Sequence, residues 1–255
     1  MLNGLDCDFG IGLNGIGLLA TPEPADALAV LDRYGLREAL VYDRGAFEAG
    51  SLDTVDRLLG YCGRSGGRLH PTLHVVPPAT GEQPPPDTLI GRCLEGGIRA
   101  LRVAPTYHRY LCDSRSMGPL LRLMEQHAMP LLHSNMMVQD HPWDHAPAWR
   151  DIRDIARAFP KLPVVVLYTG MLQGRSLFPL LAECPNVLAD LTCFSFRYIE
   201  DVTARFGSDR LVLASHFPSE DPGGYAAWVA YAGISEADRA RIAGDTMRRL
   251  LGEVR

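Results

Sequence analysis

The sequence predicts a closed (β/α)8 barrel, one domain over residues 1–255 with extra helices toward its C-terminal end. Three observations predict it. Short apolar runs alternate with longer amphipathic stretches eight times along the chain, the order expected of parallel strands joined by crossover helices. Most of these runs are continuous, with no polar alternation, so each strand is buried on both faces. The 255 residues show no obvious linker, and about 250 residues is an ordinary size for such a barrel.

Taken in order, Leu2 to Phe9 reads as the first strand, and Pro24 to Tyr34 as a helix with Ala27, Leu28, Val30 and Leu31 on its apolar side. Glu38 to Tyr42 is the second strand. Ser51 is placed to cap a helix carrying Leu52, Val55, Leu58 and Leu59, which the glycines around Gly63 and Gly66 end. Arg68 to Val76 is the third strand, and Gly81 to Pro86 is a loop, because successive prolines lack the donors that a helix or sheet interior needs. Thr88 to Glu95 is a helix, Ala100 to Val103 the fourth strand and Met117 to His127 a helix. The fifth strand is the run after Pro130 that ends on His133, with Ser134 and Asn135 behind it. Trp149 to Phe159 is a helix, Pro163 to Leu167 the sixth strand and Leu177 to Glu183 a helix. Val187 to Leu191, Tyr198 to Phe206 and Leu211 to Ala214 give the seventh strand, a helix and the eighth strand, and Glu236 to Leu251 supplies closing helices.

A dinucleotide-binding sheet competes poorly. Gly10-Ile-Gly12 and Gly15-Ile-Gly17 follow the first strand, but Ala20-Thr-Pro-Glu-Pro24 opens no helix in the right place. These glycines read instead as a loop over the barrel mouth.

Composition narrows the function. A hydrophobic share of 47% against 22% charged residues marks an ordinary globular chain, and the net charge of −5 argues against nucleic-acid or membrane-surface partners. Lys161 is the sole lysine and sits between prolines in a turn, a poor Schiff-base candidate. The six cysteines contain no C-x-x-C pair, so neither a zinc ribbon nor a dense disulfide framework is expected. The N-terminal residues lack the charged and apolar regions of a leader, and no apolar run approaches the roughly 18 residues of a membrane span. A cytoplasmic location and a small-molecule substrate are the expectation, with a homo-oligomer left open.

In such a barrel the chemistry sits at the carboxyl ends of the strands. Those ends carry Asp6 and Asp8; Tyr42, Asp43 and Arg44; His74; Arg102; His133, Ser134 and Asn135; Tyr168 and Thr169; Asp190 and Thr192; and Ser215 and His216. The ends therefore offer, strand after strand, groups that ligate, transfer protons or bind anions.

Four of these ends carry a family resemblance. Leu5-Asp-Cys-Asp-Phe-Gly-Ile-Gly12, Pro130-Leu-Leu-His133, Phe159 to Gly170 and Arg210-Leu-Val-Leu-Ala-Ser-His-Phe-Pro218 resemble the first, fifth, sixth and eighth strands of the amidohydrolase superfamily, in its amidohydrolase-2 branch. Ile242 to Leu251 is similar to its final helix. The resemblance implies a metal-dependent hydrolase with two histidines on the first strand, one on the fifth, often one on the sixth, and an aspartate on the eighth. This chain has Asp8 and Gly10 for the first pair, keeps His133, has Tyr168 for the next histidine and His216 for the aspartate.

Three readings follow. The first is a metal-independent hydrolase of a small carboxylated ester or lactone, without cofactor, like the lactonases of that superfamily. There His216 would be the base that activates water, with Asp8 orienting it or acting as base itself, and His133 and Tyr168 polarising the carbonyl. Arg102 or Arg44 would clamp a carboxylate, with His74, Asn135 and Tyr107 as further substrate contacts. The second is a catalytically silent barrel that binds a small molecule or a partner. The third is a rearranged site in which Asp8, His133 and His216 hold zinc, iron or manganese, with decarboxylase-like chemistry also allowed. Of the remaining clusters, His141 to His145 reads as an exposed loop or a lid, Tyr107 to Tyr110 as a loop near the mouth, and Asp43-Arg44 as an exposed ion pair.

Overall fold

The computed structural model describes residues 2–13, 19–21, 23–45, 54–135, 148–169, 174–192 and 195–255. Ser51, Gly15 to Gly17 and the His141 to His145 segment lie outside them. The strands are Gly4–Leu13, Leu36–Asp43, Leu69–Pro71 continued by Leu73–His74, Leu101–Val103, Leu131–Ser134, Val164–Leu167 and Val187–Ala189. All are parallel to their barrel neighbours. A two-residue strand, Leu19–Ala20, folds back antiparallel on the end of the first.

The third strand joins two sheets. Its first part pairs with the second strand and its second part with the fourth, and at the break the Thr72 N–H donates to Val41 O at 2.8 Å. The other seam is closed by residues 211–217. There Val212 N–H donates to Ala189 O at 3.0 Å, Cys7 N–H to Leu213 O at 2.9 Å and Gly10 N–H to Phe217 O at 2.7 Å. The strands therefore close into a barrel, the arrangement that leaves no open edge.

Strand alternation sorts the core into two layers. Leu5, Leu40, Leu132, Val165, Leu188 and Val212 fill the barrel interior, and Met247, Leu250 and Leu251 of the last helix, Thr246–Gly252, plug its N-terminal end. Their register neighbours Ala39, Leu131, Val164 and Val187 face outward into a second cluster shared with helix residues such as Leu31, Leu120 and Ile152. Each such buried Leu or Ile side chain contributes about 1.5–3 kcal/mol by leaving water.

Two helices were not expected from the sequence. Pro222–Tyr231 lacks a polar face, so periodicity does not reveal it; it starts where Asp221 accepts from Gly223 N–H at 2.7 Å. Pro105–His108 turns the Tyr107 segment, expected as loop, into a short helix. Asp43 does not pair with Arg44: it is buried and bound by Arg57 at 2.5 Å. Among the described residues no helix is long and apolar enough to cross a membrane.

Candidate functional site

The site is built from a bulge. Asp6 pairs with Ala39 and Phe9 with Val41, three steps on the first strand against two on the second, so one extra residue is inserted. Cys7 lies in the interior cluster and Asp8 follows it inward, while Asp6 turns outward to accept from Ser215 N–H at 2.9 Å and from the Ser215 hydroxyl. Bulges re-aim side chains in this way. A Cβ at Gly10, two residues on, would lie 3.0 Å from the Tyr42 hydroxyl and from the Arg44 side chain, so a larger residue there requires those side chains to give way.

Asp8 anchors a buried chain of alternating charge. One carboxylate oxygen accepts from Arg102 Nη1 and the other pairs with His216 Nδ1 at 2.5 Å. The far nitrogen of that imidazole, Nε2, lies 2.8 Å from Asp190 Oδ2 and 2.6 Å from Thr192 Oγ1. Asp190 in turn accepts from Tyr168 N–H at 2.7 Å, from the Thr169 hydroxyl at 2.8 Å and from the Thr192 hydroxyl. Arg102, Asp8, His216 and Asp190 are each no more than 1% exposed. The Arg102 guanidinium also donates to Cys7 O at 3.2 Å and lies 4.4 Å from the centroid of the Tyr42 ring.

Burial alone would push His216 down, but hydrogen bonds to Asp190 and Asp8 outweigh it and hold its pKa up at about 10. It is an imidazolium at neutral pH. Burial likewise opposes ionisation of Asp8 and Asp190, yet Arg102 and His216 bring Asp8 below its ordinary value, and His216 with Thr192 and Thr169 does the same for Asp190. Tyr168 covers the imidazolium, ring centroids 3.7 Å apart, and burial followed by the Asp8 charge drives its hydroxyl pKa well above the usual tyrosine value. That hydroxyl oxygen is buried and makes no hydrogen bond among the described residues. Both Tyr168 and His216 have positive φ, 56° and 58°, a strained setting for side chains of this size.

His133 is elsewhere. Its register partners are Val103 and Val166, both in the outer cluster, whereas Arg102 is partnered by Leu132 of the interior. His133 therefore faces the helices, and Ser134, partnered by interior Leu167, is the residue that faces the mouth. Both ring nitrogens of His133 are buried without a hydrogen-bond partner among the described residues, and burial pulls its pKa down to about 4. The expectations that His133 polarises a carbonyl or ligates a metal are corrected on this geometry: a slip of one residue along a strand reverses its face.

The other expected residues divide. His74, in register with Arg102, stands edge-on to Tyr42 at 5.4 Å and to His108 at 6.0 Å; burial, then Arg102, keeps it neutral at ordinary pH. Tyr107 packs with Tyr42 and Ala104 at the rim, and Arg44 lies beside Gly10. Asn135 is engaged in structure, its amide donating to Leu167 O at 3.1 Å and its oxygen accepting from Ala148 N–H at 3.4 Å, so the substrate contact expected of it is corrected. His216 as water-activating base is corrected as well, since an imidazolium with a carboxylate on each nitrogen has no lone pair to accept a proton. Asp190 stands in the sequence as one polar strand end among several, and no local signal couples it to His216.

The residues present do not fit the family's metal. A divalent ion needs deprotonated ligands with free lone pairs, and here both Asp8 oxygens and both His216 nitrogens are paired with one another or with Arg102 and Asp190. Among the described residues no group of three or more His, Cys, Asp or Glu side chains is placed to hold a metal, which corrects the Asp8, His133 and His216 set.

A family model described as Amidohydrolase matches residues 23–252. Among solved structures, 2,6-dihydroxybenzoate decarboxylase from Rhizobium superposes with a TM-score of 0.74 at 16% identity, over 99% of this chain and 99% of that one. An uncharacterized TIM-barrel protein from Bordetella bronchiseptica gives 0.76 at 16% identity over 98% of each chain. A dihydroxybenzoic acid decarboxylase from a Polaromonas species, solved with manganese and 2-nitroresorcinol, gives 0.72 at 14% identity over 98% of this chain and 96% of its own. No curated protein matches. At these identities the structural likeness shows the fold, a TIM barrel.

Proposed function

The chain belongs to the amidohydrolase family, and from that premise we propose that it hydrolyses a small carboxylated ester or lactone with groups of its own. The observation that carries this reading is the Tyr168 hydroxyl, a protonated donor buried without a partner among the described residues, its ring lying at a tilt over the His216 imidazolium. A buried donor left unmade costs free energy that a ligand oxygen recovers. Placed against the carbonyl, Tyr168 donates to the oxygen on which negative charge develops, and the fixed positive charge behind its ring favours that charge. Arg102 Nε, also buried without a partner among the described residues, is a second donor. His74, neutral and facing the mouth, takes the role of general base on water. Asp8 and Asp190 act by fixing His216, and Arg44 and Tyr107 at the rim meet the substrate carboxylate and its apolar body.

The aromatic wall of Tyr42, His74, Tyr107 and His108 suits a planar ring, and proteins of this fold decarboxylate dihydroxybenzoates and carboxyvanillates. That favours decarboxylation of a hydroxybenzoate as a second reading. One panel separates them: aromatic and aliphatic lactones and carboxylated esters beside dihydroxybenzoates, assayed for acid release and for carbon dioxide with chelator-treated and with manganese-supplemented protein. Hydrolysis that survives chelation and falls about 10²–10³-fold in Tyr168→Phe supports the proposal. Carbon dioxide release alone moves the function to decarboxylation, and no turnover of any member leaves a barrel that only binds.

A further inference from the structure

The family's divalent metal and the residues at the mouth of this barrel disagree, and the disagreement has a definite form. Arg102 and His216 each bring one positive charge into the buried layer of Asp8 and Asp190, and together they occupy every oxygen of Asp8 and one of Asp190. The other Asp190 oxygen is taken by Thr169 and Thr192. Gly10 removes the next ligand position of the first strand and its space is filled by Tyr42 and Arg44. His133, the one family histidine retained, faces the helices. We propose that Arg102 and His216 are resident cations standing where a metal would otherwise balance the carboxylates, and that this mouth is closed to divalent ions.

The assignment concerns the resting protein and stands apart from whether any ester is turned over. With two cations already balancing the two carboxylates, no net negative charge is left to draw in a divalent ion, and Asp8 is free to ligate only if its bonds to Arg102 and His216 are broken. A metal would therefore have to displace two buried ion pairs before gaining its first ligand.

The test uses the full chain, cleared of metal by chelator and gel filtration and then titrated with MnCl2 and with ZnCl2. Bound metal is measured by elemental analysis on wild type and Asp8→Asn, and thermal stability is followed in parallel. No metal-dependent rise in Tm is expected, and no bound metal that Asp8→Asn removes. Metal retained equally by both proteins lies on another surface and supports the closed mouth. Near-stoichiometric metal in the wild type, absent from Asp8→Asn, overturns the proposal. Should Asp8→Asn fail to fold, manganese broadening of the His216 ring resonances answers in the wild type alone: unbroadened signals support the proposal, and selective loss of those signals overturns it.

Discussion

Two histidines with the same burial, each expected at the end of a barrel strand, have opposite fates. His216 and His133 are both 0% exposed. His216 faces the interior mouth, lies between Asp8 and Asp190, and is held charged with a pKa near 10. His133 faces the helix layer among Val103 and Val166, finds no hydrogen-bond partner among the described residues, and is held neutral with a pKa near 4. The difference lies in which wall of the strand each occupies, since depth of burial is equal. A strand end is thus a necessary address for a functional side chain and an insufficient one; the face decides.

The largest break in this comparison comes from Asp8→Asn. It leaves Arg102 and His216 buried without their shared carboxylate, and loss of one partner from a buried pair costs about 3–5 kcal/mol, to be read as a lower urea midpoint at unchanged m-value. His133→Asn should cost much less, because no ion pair depends on that ring.

The pH dependence of stability should split the two rings in opposite directions. For His216 the folded pKa, about 10, lies above the ordinary 6.5, so its contribution is fully present below 6.5 and is lost as pH rises through about 10. For His133 the folded pKa, about 4, lies below 6.5, so the unfolded chain takes up the proton first and stability falls as pH drops from 6.5 toward about 4. Denaturation of wild type minus His133→Leu across pH 4 to 7 isolates the second effect. An acid sensitivity unchanged in the variant would show that His133 is not the group responsible.

His133→Leu sharpens the comparison further. Exchanging an unpartnered buried imidazole for an apolar side chain should raise stability by about 1 kcal/mol, the scale of an unmet buried polar group, with turnover unaffected. At the small end, Arg249→Ala removes an exposed pair with Glu253 at 2.9 Å and should change stability by no more than about 0.5 kcal/mol.

The same contrast marks how far the sequence could be read. Eight apolar runs and their helices were legible because alternation and turn residues are local signals, and Asp8, Arg102, Tyr168 and His216 were legible as polar residues ending such runs. Face was not legible at His133, because a strand buried on both sides shows no polar alternation from which to read parity. The bulge that turns Asp8 inward beside Cys7 depends on register with the second strand, which no local pattern encodes. The Asp190 to His216 contact joins residues 26 positions apart through strand pairing, and together with Asp8 it changes His216 from a base into a fixed cation.

The most direct test of this account is the protonation state of His216, read from long-range nitrogen–proton NMR of the histidine rings, assigned by comparison with His216→Asn. The account predicts that at pH 8 one buried ring carries protons on both nitrogens, bonded to Asp8 and Asp190, and stays so as pH rises toward about 10. A neutral His216 ring, losing its proton near the ordinary 6.5, would contradict the charge chain on which the site, the proposed hydrolysis and the exclusion of metal all depend.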